Sequence, residues 1–238
     1  IDLGTLGGTF SQALAINDRG QIVGTSTIAS GEQHAFIWTE TGCMKDLGTL
    51  PGGTRSAAWA INNLGQIVGW STIASGEQHA CLWTEKDGMK DLGTLPDGTF
   101  SVAWAINNRG QIVGASGIAS GEQHAFLWMK TGGMTDLGTL GGPHSSARAI
   151  NDRGQIVGMS YIASGEQHAF LWTETGGMID LGTLPGGTLS AAWAINNLGQ
   201  VVGWSTIASG KQHACLWTET GDIVDLGTLP GGAFSYAL

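Results

Sequence analysis

The chain has 238 residues, 40 of them glycine, and only 12% of its residues are charged. This much glycine argues against a helical bundle, because each glycine costs ~1 kcal/mol in a helix interior. A hydrophobic share of 42% with ten tryptophans argues against a disordered chain. The apolar runs are too short to cross a bilayer. We therefore expect a compact, turn-rich, all-β protein.

The net charge of −9 bears on the partners. Ten basic residues are spread along the chain and form no stripe for phosphates, so we expect no nucleic-acid partner and no membrane insertion. Three cysteines at irregular spacing do not make a disulfide framework. Cys81 and Cys215 stand where other copies have phenylalanine, so we predict that they are buried. Because the chain opens on Ile1 without a leader, we expect a piece of a longer protein.

Three motifs recur along the whole chain. Asp-Leu-Gly-Thr-Leu occurs six times at spacings of 44 or 45 residues, beginning at positions 2, 46, 91, 136, 180 and 225. Gln-His-Ala-(Phe/Cys)-(Ile/Leu)-Trp and Ala-Ile-Asn-(Asp/Asn)-x-Gly-Gln-(Ile/Val)-Val-Gly occur five times each. A period of about 40 to 50 residues with strand-like content is typical of propeller blades.

A longer period is superimposed on this repeat. Residues 2–45 match 136–179 at 35 of 44 positions, and 46–90 match 180–224 at 37 of 45. These matches indicate a three-repeat block copied in tandem. Close copies point to recent amplification, so identity between repeats says little about function.

One repeat contains four strand-sized segments. Taken in chain order, the predicted strands are 12–17, 21–28, 33–39 and 44–49, separated by turns at Asn17-Asp18-Arg19-Gly20, Ser30-Gly31-Glu32 and Thr41-Gly42. Four antiparallel strands joined by hairpins make one blade. The alanine-rich first strand suits the crowded axis of a propeller.

The repeat count favours an all-β propeller of five four-stranded blades in one domain over residues 1–238, made of five full repeats and a partial sixth. The alternatives are a six-bladed ring and a strand-exchanged oligomer, and a parallel β-helix is the second choice of fold. Five blades leave one Asp-Leu-Gly strand in surplus. We favour a monomer, with this end strand as the place for contact between copies.

The motifs resemble those of the HAF-repeat family, named for the His-Ala-Phe at 34–36, 124–126 and 168–170. Two repeats depart from it with His-Ala-Cys at 79–81 and 213–215. The resemblance covers essentially the whole chain. It implies a bacterial extracellular repeat protein with no established activity, and it supplies no catalytic or binding residues.

One histidine per repeat is the first candidate for chemistry. Ligands of a metal must converge within a few ångströms, whereas equivalent positions on separate blades are spread apart. A hydrogen bond inside each blade, to the Asp of Asp-Leu-Gly or to a turn, is the better interpretation. We therefore predict no metal and no cofactor, and a structural role for His34, His79, His124, His168 and His213.

The ten tryptophans form two sets. One recurs in every repeat and is predicted to lie in the core between blades: Trp38, Trp83, Trp128, Trp172 and Trp217. The other occupies columns that also hold arginine, threonine or methionine, which we expect near solvent. Trp59 with Trp70, and Trp193 with Trp204, are predicted to lie on adjacent strands of one hairpin, within about a residue of directly opposite. Paired indoles of this kind can stack on sugar rings or fill gaps between blades.

The chain has no phosphate loop, HExxH, paired CxxC or GxSxG motif, so we expect no enzyme. The leading hypothesis is a non-catalytic, secreted scaffold or interaction module. The alternative is a multivalent, lectin-like propeller that uses its tryptophan pairs. A glycan or another protein surface is the expected partner.

Overall fold

The computed structural model describes residues 1–237, which form twenty β-strands and no helix. The strands make five four-stranded antiparallel sheets, and each sheet takes its four strands in chain order. Five such sheets are the strand content of a five-bladed β-propeller, and the predicted fold class is confirmed.

The first sheet comprises β1 (Gly7–Ile16), β2 (Ile22–Ile28), β3 (Gln33–Thr39) and β4 (Cys43–Asp46). The second comprises β5 (Ser56–Ile61), β6 (Ile67–Thr72), β7 (Gln78–Thr84) and β8 (Gly88–Asp91). The third comprises β9 (Ser101–Ile106), β10 (Ile112–Gly117), β11 (Gln123–Met129) and β12 (Gly133–Asp136). The fourth comprises β13 (Gly141–Ile150), β14 (Ile156–Ile162), β15 (Gln167–Thr173) and β16 (Gly177–Gly182). The fifth comprises β17 (Ser190–Ile195), β18 (Val201–Thr206), β19 (Gln212–Trp217) and β20 (Ile223–Gly227).

The chain divides into two compact units. The first unit holds the first two sheets and most of the third, over Ile1–Gly121 and Trp128–Thr135. The second unit holds Glu122–Leu127 and everything from Asp136 onward, which includes the fourth and fifth sheets. The packing below is described inside each unit, and the single domain expected from the sequence stays a prediction.

The strands of the first repeat lie close to their predicted positions, with two differences. The third strand has the predicted bounds, whereas β1 begins at Gly7 and β4 ends at Asp46. After Asp46 the chain turns, since the Asp46 carboxylate accepts a hydrogen bond from Gly48 N–H at 2.7 Å and Gly48 has a φ of +70°. This local turn takes the backbone out of the extended region.

A β-bulge lies between the first two strands of every sheet. In the second sheet Ala58 pairs with Gly69 and Ala60 with Val68, which leaves Trp59 as the extra residue. Gly69 is required here, because a Cβ at this position would overlap the carbonyl oxygen of Ala57. The bulge therefore explains the glycine that closes the Gln-(Ile/Val)-Val-Gly motif.

Apolar side chains from neighbouring sheets form the cores. In the first unit, Val23, Ala35 and Ile37 of the first sheet pack with Ala58 and other side chains of the second. In the second unit the fourth and fifth sheets pack in the same way, through Val157, Ala169, Ala192, Val201 and Trp217. Each blade is thus held through its faces, as a four-stranded sheet without a core of its own requires.

One serine per repeat bridges two sheets, and we call this contact the serine bridge. Ser56 Oγ accepts a hydrogen bond from Ala35 N–H of the preceding sheet at 2.8 Å and donates one to Gly48 O at 2.6 Å. The pattern recurs five times, with the amide donors Ala35, Ala80, Ala125, Ala169 and Ala214 and the serines Ser56, Ser101, Ser145, Ser190 and Ser235. The first four of these serines are almost fully buried.

Ser11 is the corresponding serine of the first repeat and has no preceding sheet in this chain. It is exposed, and its hydroxyl bonds only to Gly4 O, at 2.8 Å. The same contrast holds for Ile16, which is 65% exposed, against 9% for its equivalent Ile61. Burial of the first strand therefore depends on the sheet before it.

We predict that Ser101→Ala lowers the free energy of unfolding by about 1–3 kcal/mol, because it leaves the buried Ala80 N–H without its acceptor. Ser11→Ala is the matched control at the same position of the repeat, and a change within about 0.5 kcal/mol is expected. Urea unfolding of both variants measures the difference. Equal losses would show that the serine bridge contributes nothing.

Candidate functional site

Each histidine of the repeat bonds to the aspartate twelve residues later in its own sheet. The Nδ1 atoms lie 2.8–2.9 Å from the nearer carboxylate oxygen in all five pairs, which are His34–Asp46, His79–Asp91, His124–Asp136, His168–Asp180 and His213–Asp225. The Asp of Asp-Leu-Gly was one of the partners that the sequence allowed. The same carboxylate also accepts a hydrogen bond from the glycine N–H two residues later.

The histidine side chains of these pairs are 15–16% exposed and the aspartate side chains 39–41%. Burial raises the pKa of Asp225, whereas the hydrogen bonds from His213 and Gly227 N–H together lower it further, so the pKa of this carboxyl lies below its ordinary value. The aspartate is therefore ionised at neutral pH and acts as an acceptor. Among residues 1–237, no three His, Cys, Asp or Glu side chains gather where a metal ion could be held.

The two cysteines that replace phenylalanine are buried as predicted, with Cys81 4% and Cys215 0% exposed. Burial raises the pKa of both thiols to about 12, and the carboxylates of Asp91 and Asp225 add to this. Such thiols stay protonated at neutral pH and pack as small apolar groups.

The recurrent tryptophans lie at least partly inside the molecule. Trp83, Trp128 and Trp217 are buried, and Trp38 and Trp172 are half-buried. Trp217 also donates its indole N–H to Leu181 O at 2.9 Å. Lysines cover two of these rings, since Lys45 Nζ lies 5.5 Å from the Trp83 centroid and Lys90 Nζ lies 5.0 Å from that of Trp128.

Trp59 and Trp70 lie on adjacent strands of one hairpin, β5 and β6, but the ring contact of Trp59 is with another repeat. Trp70 pairs with Ala57, two residues before Trp59, because the bulge displaces Trp59 from the register. Trp59 instead meets Trp104 of the next repeat edge to face, with ring centroids 4.9 Å apart. In the second unit Arg148 holds the corresponding place and lies 5.1 Å from the Trp193 centroid.

The side chains at this position of the repeat are half-buried, so each keeps part of its surface in contact with solvent. Arginine is accepted there because the guanidinium lies over an indole of the next repeat, and burial lowers the pKa of Arg148 from its usual value. At this position of the repeat, side chains of neighbouring repeats are therefore in contact. Sequence reasoning had instead paired side chains on two strands of one hairpin.

Trp70 and Trp204 occupy a different environment. Both are half-buried and lie between alanines on the two neighbouring strands, Ala57 and Ala80 for Trp70, and Ala191 and Ala214 for Trp204. Small neighbours leave room for an indole to lie over the sheet. The two residues remain candidates for binding, without Trp59 and Trp193 as hairpin partners.

Sequence reasoning missed two grooves between neighbouring sheets of the first unit. The first groove has a volume of about 400 Å³ and lies between the first and second sheets. The second, of about 350 Å³, lies between the second and third. Leu64 and Gln66 line both grooves, so the grooves flank one turn. Seven of the ten basic residues lie in the first 130 residues, but their spacing along the chain gave no signal of the grooves.

Comparison with solved structures places the fold among β-propellers. The propeller domain of the Trilobed protease from Pyrococcus furiosus superposes with a TM-score of 0.56 at 10% identity, over 92% of this chain and 69% of that one. The fold is that of a β-propeller. TolB from Acinetobacter baumannii gives a TM-score of 0.58 at 12% identity, over 90% of this chain and 53% of TolB. The chain thus spans about half the length of TolB.

A third similar structure is the BP39L lectin from Burkholderia pseudomallei, with a TM-score of 0.52 and 12% identity over 92% of this chain and 71% of the lectin. At this level of identity the comparisons show the fold alone. No family model and no curated protein sequence matches the chain. The resemblance to HAF repeats therefore rests on the motifs quoted above. No helix in the described part of the chain is long and apolar enough to span a membrane.

We predict that a double-mutant cycle on Trp59 and Trp104 gives a coupling energy of about 0.5–1.5 kcal/mol, the usual value for an edge-to-face aromatic pair. The cycle on Trp59 and Trp70 is the control and is expected to give a value near zero. Unfolding free energies of the single and double variants, with alanine in place of each tryptophan, supply both coupling energies. A larger coupling energy for Trp59 with Trp70 than for Trp59 with Trp104 would contradict this prediction.

Proposed function

We propose that the protein is a non-catalytic, extracellular β-propeller that acts as a scaffold or interaction module. The supporting observation is that the recurrent polar side chains of the repeat form contacts within and between sheets. The histidines bond to aspartates of their own sheets, the serines bridge neighbouring sheets, and the asparagines of the first turn bond to the next sheet. We favour a monomer, with the surplus Asp-Leu-Gly end segment as the place where copies would associate.

The asparagine of the first turn forms hydrogen bonds through both its side-chain oxygen and its side-chain nitrogen. Asn62 Oδ1 accepts the amide hydrogens of Leu64 and Gln66, which shapes its own turn. Its Nδ2 donates to Gln66 Oε1 at 2.7 Å and to Asn107 O of the next sheet at 3.0 Å. A side chain with all of these bonds formed has no role left in proton transfer.

A substitution in one histidine–aspartate pair tests the proposal. His79→Asn is expected to lower the free energy of unfolding by about 1 kcal/mol or less, because the bond to Asp91 is partly exposed. We expect neither this variant nor the unaltered protein to turn over glycoside, ester, peptide or phosphate test substrates. Turnover by the unaltered protein that is lost in a folded His79→Asn variant would contradict the non-catalytic role.

A lectin-like role is the second candidate, and the half-buried Trp70 and Trp204 favour it. Each indole lies between alanines, so one face of a sugar could reach it. The similar fold of the BP39L lectin supports this candidate without assigning a sugar to it. Several weak sites on one rigid body would gain avidity.

We expect a neutral-glycan array to detect binding that is lost on Trp59→Ala/Trp70→Ala, the pair named from the sequence, and on Trp70→Ala alone. Phe10→Ala removes an exposed aromatic ring of the first sheet, which carries neither Trp70 nor Trp204, and is the control. Circular dichroism confirms that each variant is folded. No binding of the unaltered protein to any neutral glycan would remove the lectin-like role.

A further inference from the structure

Basic side chains gather at the two grooves of an otherwise acidic protein. The chain carries 19 acidic and ten basic residues. Five of the ten line the grooves, with Arg19, Lys45 and Lys86 in the first and Arg109 and Lys130 in the second. Lys90 lies over Trp128, which lines the second groove. Chance spreading of ten charges over the chain would not produce this concentration.

These cations are not neutralised by the protein's own carboxylates. None of the six takes part in an ion pair within the part of the chain that the structure describes. Arg153, at the position of the repeat that Arg109 occupies, lies 3.3 Å from Glu219. One carboxylate, Glu85, lines the first groove, and no acidic side chain lines the second. Unpaired positive charge in a concave surface attracts and concentrates anions.

The protein restrains several of these cations. Arg19 donates from Nε and Nη2 to Asn63 O at 2.8 and 2.5 Å, which leaves Nη1 for another acceptor. Lys45 and Lys90 lie over the rings of Trp83 and Trp128. A restrained cation loses less conformational entropy when an anion binds to it.

The remaining lining groups are suited to hydroxyls. The amides of Gln21 and Gln66 in the first groove, and of Gln66 and Gln111 in the second, can both donate and accept hydrogen bonds. Sugar hydroxyls also donate and accept. Arginine adds a planar fork that fits carboxylates and sulfates. Since Gln66 lines both grooves, one extended ligand can run from the first groove into the second.

We propose that the two grooves bind an acidic polysaccharide, a chain of sugars that carries carboxylate or sulfate groups. The anionic groups bind to the arginines and lysines, and the glutamine amides bind to the hydroxyls between them. The second groove contributes more, because it holds no carboxylate. This site differs from the tryptophan site of the lectin-like candidate in residues, in place and in the charge of the ligand.

Fluorescence anisotropy with labelled oligogalacturonate and with a sulfated galactan oligomer tests the proposal, with neutral galactan as the uncharged probe. We expect at least one acidic probe to bind and the neutral probe not to bind. Arg109→Gln/Lys130→Gln is expected to weaken binding about tenfold or more, through loss of charge-assisted hydrogen bonds.

Arg55→Gln/Lys211→Gln is the matched control, since it removes two exposed cations that line neither groove and changes the net charge equally. It is expected to weaken binding less than about twofold, as for exposed charges at a distance. Unfolding midpoints establish that both double variants are folded.

Three results would overturn the proposal. Failure of both acidic probes to bind removes the site, and equal weakening by the two double variants shows attraction to charge without a groove. Poly-glutamate bound as tightly as the better acidic sugar would assign the grooves to acidic peptides. The non-catalytic role stands or falls separately, on the turnover assays.

Discussion

A single serine hydroxyl sets how closely neighbouring sheets approach. Ser56 Oγ accepts from Ala35 N–H and donates to Gly48 O, so it satisfies one buried donor and one buried acceptor that face each other across the junction. Alanine would leave both unsatisfied, and a larger side chain would push the sheets apart. Repetition of this bond through the chain accounts for the near identity of the residues around it. The alanine of His-Ala-Phe and the glycine of Asp-Leu-Gly are parts of the same junction.

The motifs that look most functional are thus the ones with structural tasks, and the variable positions carry the potential for recognition. The position of Arg19 in the repeat is occupied by leucine in the second repeat, Leu64, and by arginine in the third, Arg109. The lysine found at one position of the first two repeats, Lys45 and Lys90, is replaced by Thr135 in the third. Variation of this kind changes the charge of a groove without disturbing the serine bridge.

Much of the fold followed from periodicity and turn chemistry. The strand Gln33–Thr39 has the predicted bounds, and the histidine–aspartate bond was among the expected contacts. The contact of Trp59 with Trp104 was not foreseen, because period-two reasoning assumes a regular ladder within one hairpin and the bulge adds one residue at Trp59. The grooves could not be found from one repeat, since each is lined by side chains of two sheets about 45 residues apart in sequence.

By itself, the sequence determined the all-β class, the four strands of each blade, the number of repeats and the burial of Cys81 and Cys215. These properties depend on local patterns, which a strand or a turn expresses wherever it lies. The tertiary structure decided which indoles and cations meet, because those contacts form between repeats. Trp59 meets Trp104, Arg148 lies over Trp193, and Lys45 covers Trp83. Only the packing of one sheet on the next sets these distances.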